Sequence, residues 1–83
     1  MYEIVFEKRA LKFFEKLDKS VQNKLGKKIE QLKQNPKFGV PLVANLSGLW
    51  KLRAEKYRII YKIINDKLII LILDIGHRKN IYS

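Results

Sequence analysis

The chain has 83 residues, 47% of them hydrophobic and 31% charged, with eighteen Lys and Arg against eight Asp and Glu for a formal charge of +10. That size and apolar content provide one small domain, residues 1–83, with a single core, and argue against disorder. With no cysteine, one histidine and no dense carboxylate cluster, disulfides, iron–sulfur clusters and cysteine-based zinc sites are excluded, and no metal or cofactor site is expected. The longest apolar stretch, Leu68 to Leu73, is far short of the ~20 residues needed to cross a bilayer, so no membrane role is expected. Met1-Tyr2-Glu3 runs directly into a strand-like segment, so no signal peptide is expected and the cytoplasm is the expected address. The charge predicts a polyanion or a strongly acidic protein as partner, against the plainer alternative of a solvated lysine-rich surface.

Tyr2 to Glu7 alternates and predicts a first strand with Tyr2, Ile4 and Phe6 on one face. Lys8 to Lys19 predicts a first helix carrying Leu11, Phe14 and Leu17, with Ala10 and Phe13 beside them. Ser20 is the expected N-cap of a second helix from Val21 to Gln34. Val21, Leu25, Ile29 and Leu32 form its buried stripe, and Asn35-Pro36 stops it. Phe38 to Gly48 predicts a loop. The period then changes, and strands are expected over Leu49 to Ala54, Tyr57 to Ile64 and Leu68 to Ile75. The last is apolar on both faces and is placed inside the sheet. The predicted fold is α+β in the order β-α-α-β-β-β, with the helical hairpin packed on one face of a mostly antiparallel four-stranded sheet.

The connection at Glu55-Lys56 can be tested by register. An even number of connecting residues sets Arg53 against Arg58, Leu52 against Ile59 and Trp50 against Tyr61. The two apolar pairs then face the helices, and Lys51, Arg53 and Arg58 share the other face. Like charges directly opposite each other destabilise a sheet. Either the two guanidinium groups splay into solvent, or a phosphate between them reverses the sign of the interaction. The tail adds His77, Arg78, Lys79 and Tyr82. Histidine ordinarily titrates near neutrality, and a tyrosine can stack on a base or exchange a proton. No phosphate-binding glycine loop, dinucleotide fingerprint or nucleophile elbow is present. The remaining set suits metal-free RNA cleavage. RNA supplies its own 2′-hydroxyl nucleophile, and cations stabilise the charged phosphorane.

The strings Trp50-Lys51-Leu52-Arg53, Tyr57-Arg58-Ile59-Ile60-Tyr61 and Gly76-His77-Arg78-Lys79-Asn80-Ile81-Tyr82, in this order, resemble the RelE branch of the RelE/ParE toxin superfamily over nearly the whole chain. The resemblance implies the toxin of a type II toxin–antitoxin system, a ribosome-dependent endonuclease that cuts A-site mRNA by 2′-hydroxyl attack. It implies catalytic roles for Arg58, Arg78, Tyr82, His77 and Lys51, and substrate binding by Arg53 and Lys79. His77 is the candidate general acid. Two departures stand out. Leu49 occupies the position of a strand-two lysine, and Tyr82 follows Arg78 more closely than in the well-studied lineage. The implied partners are a RelB-like antitoxin in a hetero-oligomer, the ribosome and mRNA. Two other readings fit the same fold: a ParE-like poison of DNA gyrase, and a catalytically weak RNA-binding member. If Asn65-Asp66 closes a two-residue turn and the last strand runs straight, Arg58 and Arg78 fall on opposite faces. A three-residue turn, or a bulge at Gly76, brings them together.

Overall fold

The computed structural model describes residues 1–42 and 48–77. Arg78, Lys79 and Tyr82 lie outside the described residues. Chain order is β1 (Glu3–Phe6), α1 (Lys8–Glu15), α2 (Lys19–Gln31), β2 (Val40–Pro41), β3 (Leu49–Ala54), β4 (Tyr57–Ile64) and β5 (Ile69–His77), with short 3-10 turns at Pro36–Phe38 and Asn65–Lys67. The sheet has five strands in the order β1-β5-β4-β3-β2. Only β1 and β5 run parallel; the other pairs are antiparallel. No helix among the described residues is long and apolar enough to cross a membrane.

The predicted helical hairpin is present, with different boundaries. α1 ends at Glu15 rather than Lys19, and α2 begins at Lys19, so Ser20 lies inside the helix and Asp18 takes the N-cap position. The side chain of Gln22 bridges the break: its Nε2 donates to the Leu17 carbonyl at 2.9 Å and to the Glu15 carbonyl at 3.2 Å. Those acceptors are left over where α1 stops, so a local amide replaces the missing helical turn. The inner stripe of α2 is as expected, with Leu25, Ile29 and Leu32 buried. In α1, Ala10 is buried and Phe13 and Phe14 pack on the core, while Leu11 turns outward.

β2 is absent from the sequence prediction, which gives a loop there and four strands in all. Gly39 allows the extra strand. A Cβ at this position would meet the Lys51 carbonyl below van der Waals separation and the Tyr61 hydroxyl at 2.9 Å. Without one, Val40 and Pro41 come into register with Lys51 and Trp50. Tyr61, fully buried, then holds the segment from below. Its hydroxyl donates to the Pro36 carbonyl at 2.7 Å and accepts the Gly39 N–H at 3.1 Å. Burial raises the pKa of this hydroxyl, and the Gly39 N–H partly opposes the shift.

The β3–β4 register is the even one: Arg53 pairs with Arg58, Leu52 with Ile59 and Trp50 with Tyr61. Tyr57, Ile59 and Tyr61 of β4 and Ile70, Ile72 and Ile75 of β5 join Leu25 and Leu32 in one core. Each such side chain contributes about 1.5–3 kcal/mol by leaving water.

The β4–β5 connection spans four residues, since Ile64 pairs with Ile69, and Leu68 in it is left-handed at φ 54°. The register then shifts: Tyr61 pairs with Ile72 but Ile60 with Asp74, leaving Leu73 as the extra residue of a bulge. The bulge therefore lies at Leu73 rather than Gly76. Its cause is Asp74. A straight ladder would set Asp74 against Ile59, inside the core, where an unpaired carboxylate costs several kcal/mol. The bulge turns Asp74 out to meet Arg9 (Nε–Oδ1 3.4 Å) and admits Ile75 opposite Ile59. It also sets Gly76 opposite Arg58.

Two outcomes are expected. Tyr61→Phe removes both hydrogen bonds and costs about 1–2 kcal/mol in a denaturant melt, with faster amide exchange at Gly39; unchanged exchange would show that Tyr61 does not hold β2. Asp74→Leu removes the reason for the bulge, so cross-strand NMR contacts of Arg58 move from Gly76 toward Ile75. Retention of the Arg58–Gly76 contact alone would assign the bulge to another cause.

Candidate functional site

Alternation along β3 and β4 divides their side chains between two surfaces. Leu52, Ala54, Tyr57, Ile59 and Tyr61 face the helical hairpin and are buried. Lys51, Arg53 and Arg58 project from the side opposite α1 and α2. The pairing brings Arg53 and Arg58 directly across from each other, a separation of about 5 Å between Cβ atoms. On its other side Arg58 faces Gly76, which has no side chain. Arg58 is half-buried, with its Nε shielded from solvent.

Lys51 is next to this pair. It faces Ile60 on β4 and Val40 on β2. Ile60 lies on the same face and is fully buried, so it gives the cation row an apolar floor. Burial pushes the Lys51 ammonium below its ordinary 10.5, and the positive charges of Arg58 and then Arg53 act in the same direction. The two arginines beside Lys51 make a further positive charge unfavourable here, and an anion would relieve their repulsion. An open cleft of about 380 Å³ runs along this edge, lined by Lys28, Phe38, Val40, Lys51 and Arg53 among others. Lys28 sits 5.5 Å from the centre of the Phe38 ring. Sequence reasoning missed Lys28, because only the tertiary packing of α2 beside β2 brings it to the sheet edge.

His77 is placed elsewhere. It pairs with Tyr57, and the two rings lie 5.0 Å apart on the side of the sheet that carries the helices. Arg58 is on the other side, so His77 does not join the Arg53–Arg58–Lys51 group. Trp50 stacks on Tyr61 at 6.2 Å and belongs to the core rather than to a base-stacking platform. Among the described residues no group of three or more His, Cys, Asp or Glu is placed to hold a metal ion.

A family model described as the ParE toxin of type II toxin–antitoxin systems matches residues 4–82. A RelE-like toxin of Escherichia coli is 32% identical over 94% of this chain and 84% of its own length. The mRNA interferase toxin RelE of Escherichia coli K12 is 29% identical over 99% of this chain and 90% of its own. The crystal structure of the intact Escherichia coli RelBE toxin–antitoxin complex contains a chain that superposes with a TM-score of 0.79 at 28% identity, covering 93% of this chain and 96% of that one. The chain thus belongs to the RelE branch of the RelE/ParE superfamily, the toxins of type II toxin–antitoxin systems.

Proposed function

We propose that this toxin is an endoribonuclease that enters the translating ribosome in the cytoplasm and cuts mRNA without a metal ion, and that residues 1–83 act as one catalytic domain. The observation that carries this reading is the Arg53–Arg58 pair with Lys51 beside it on the sheet face opposite the helices. Like charges at this spacing repel one another. With a phosphodiester among them, each contact becomes attractive, and most so when the phosphorane carries its extra charge. In the reaction the 2′-oxygen bonds to phosphorus as the bond to the 5′-oxygen breaks, leaving a 2′,3′-cyclic phosphate and a 5′-hydroxyl. One proton leaves the 2′-hydroxyl and one reaches the 5′-oxygen. Arg58 and Arg53 hold the phosphate. Lys51, with its lowered pKa, exchanges a proton more readily than an ordinary lysine. Arg78 and Tyr82 act with them as a second phosphate ligand and as a base-stacking or proton-transfer group, and Lys79 binds the RNA backbone. His77 falls outside this group.

The mRNA interferase name of the Escherichia coli relative supports the chemistry. The RelBE complex supports a partnership with a RelB-like antitoxin in a hetero-oligomer. A sequence with +10 charge calls for acidic residues on the antitoxin segment that covers the cationic face. The gyrase-poisoning reading keeps one support, the ParE name of the matching family model.

Primer extension on a reporter message in a translation extract tests the proposal. Wild type is expected to give cuts only during translation, and Arg58→Ala to reduce them by about 10²–10³-fold while remaining folded. A folded wild type that leaves mRNA intact overturns it, and trapped gyrase–DNA breaks would then select the ParE-like reading. The charge repulsion has its own signature. Lys51→Met is expected to be more stable than wild type at neutral pH, because it removes an ammonium whose folded pKa lies below 10.5. That advantage is complete below the lowered pKa of Lys51 and vanishes as the pH rises through 10.5. A difference that does not change over this range would show that packing, not charge, separates the two proteins.

A further inference from the structure

Lys51 has two arginines beside it and an open cleft at its side. It shares its sheet face with Arg53, two residues on, and lies diagonal to Arg58 across the β3–β4 ladder. That diagonal spans about 7–8 Å, which long side chains bridge. Both guanidinium groups act on Lys51 electrostatically. Ile60 opposite it and Val40 on β2 give its stem apolar neighbours. Among the described residues neither Lys51 nor Arg53 forms an ion pair. The cleft of about 380 Å³ is lined by Lys51 and Arg53, and none of its described lining residues is acidic.

This arrangement suits a reaction at the lysine nitrogen. An ammonium group has no lone pair to attack with. Burial and the two arginines shift Lys51 toward its neutral amine, and a lysine beside other cations is an activated nucleophile. The same arginines form a seat for a tetrahedral anion, since a guanidinium binds phosphate bidentately. Nucleophile and leaving group thus have separate places, the amine of Lys51 and the Arg53–Arg58 pair.

We propose that Lys51 is an acylation site, modified by small acyl phosphates whose phosphate group docks on Arg53 and Arg58. In the step, Lys51 Nζ bonds to the acyl carbon as the bond from that carbon to the bridging oxygen breaks. The electron pair leaves with inorganic phosphate, whose charge the arginines stabilise, and the proton released by the nitrogen passes to water. An acyl phosphate fits better than an acyl thioester, because it carries its anionic group next to the reacting carbon. The product is an amide, which offers no positive charge to an RNA phosphate and exchanges no proton. Acylation therefore switches the toxin off. That consequence rests on the cleavage reading above, whereas the acyl transfer itself does not.

The test incubates the full chain with acetyl phosphate and follows each of its fourteen lysines by peptide mass spectrometry. Lys51 is expected to be acetylated about tenfold or more faster than the median of the others. Inorganic phosphate is expected to compete, and Arg53→Gln to slow the reaction at Lys51 about threefold or more. Arg53 is exposed, and a denaturant melt verifies that the variant is folded. With N-acetoxysuccinimide, an uncharged acetyl donor, the preference for Lys51 is expected to shrink, because the arginines then hold nothing. Acetylation of Lys51 no faster than the median overturns the proposal. So does an equal preference with both donors, which would assign the reactivity to the amine alone. In the translation extract, chain acetylated at Lys51 is expected to cut about 10²-fold less. If the wild type cuts no message yet Lys51 remains the preferred target of acetyl phosphate, the cleavage reading fails and the acylation site stands.

Discussion

Burying Tyr57, Ile59 and Tyr61 beneath the helical hairpin forces Arg58 onto the other side of β4. A strand has only two faces, so the hydrophobic register and the charged register are a single choice. The same choice puts Leu52 under the helices and delivers Arg53 to the position opposite Arg58. The two-residue turn at Glu55-Lys56, with Glu55 left-handed at φ 57°, keeps the count even. Slipping this hairpin by one residue would expose the core and bury the guanidinium groups together. The cationic face is therefore as firmly specified as the core.

Asp74 imposes the second constraint. The pattern Ile70, Ile72, Ile75 has a spacing of two and then three, and the odd step falls where a carboxylate would otherwise enter the core. The bulge at Leu73 absorbs the extra residue and exchanges the faces of everything that follows in β5. Arg58 consequently faces Gly76, and His77 goes to the helix side against Tyr57. One buried-charge penalty thus determines what stands across from Arg58 and what cannot.

The distribution of charge is locally unfavourable. Arg53 opposes Arg58, Lys51 titrates below its usual range, and Lys8, Lys12 and Lys16 repel along α1. Repulsion of this kind costs a small domain a modest part of its stability, and an arriving polyanion reverses it. Tyr61 serves the Arg53–Arg58–Lys51 face from beneath, because its hydroxyl fixes the Pro36 turn and Gly39, and with them the β2 edge beside Lys51.

The sequence by itself determined the order of the main elements, the buried stripe of α2, the pairing of Arg53 with Arg58 and the interior place of β5. Each follows from a local period or from the length of a short turn, and those rules act over a few residues. Only the tertiary structure decided the rest. β2 exists because Gly39 lets the backbone come against Lys51 while Tyr61 reaches 22 residues back in sequence to hold it. α1 stops at Glu15 because Gln22 supplies the hydrogen bonds that another turn would have made. Lys28 reaches the sheet edge through the packing of α2, and His77 leaves the cation row through a bulge that balances a buried carboxylate against one unpaired residue. These outcomes depend on groups distant in sequence meeting in space, and no local period records such meetings.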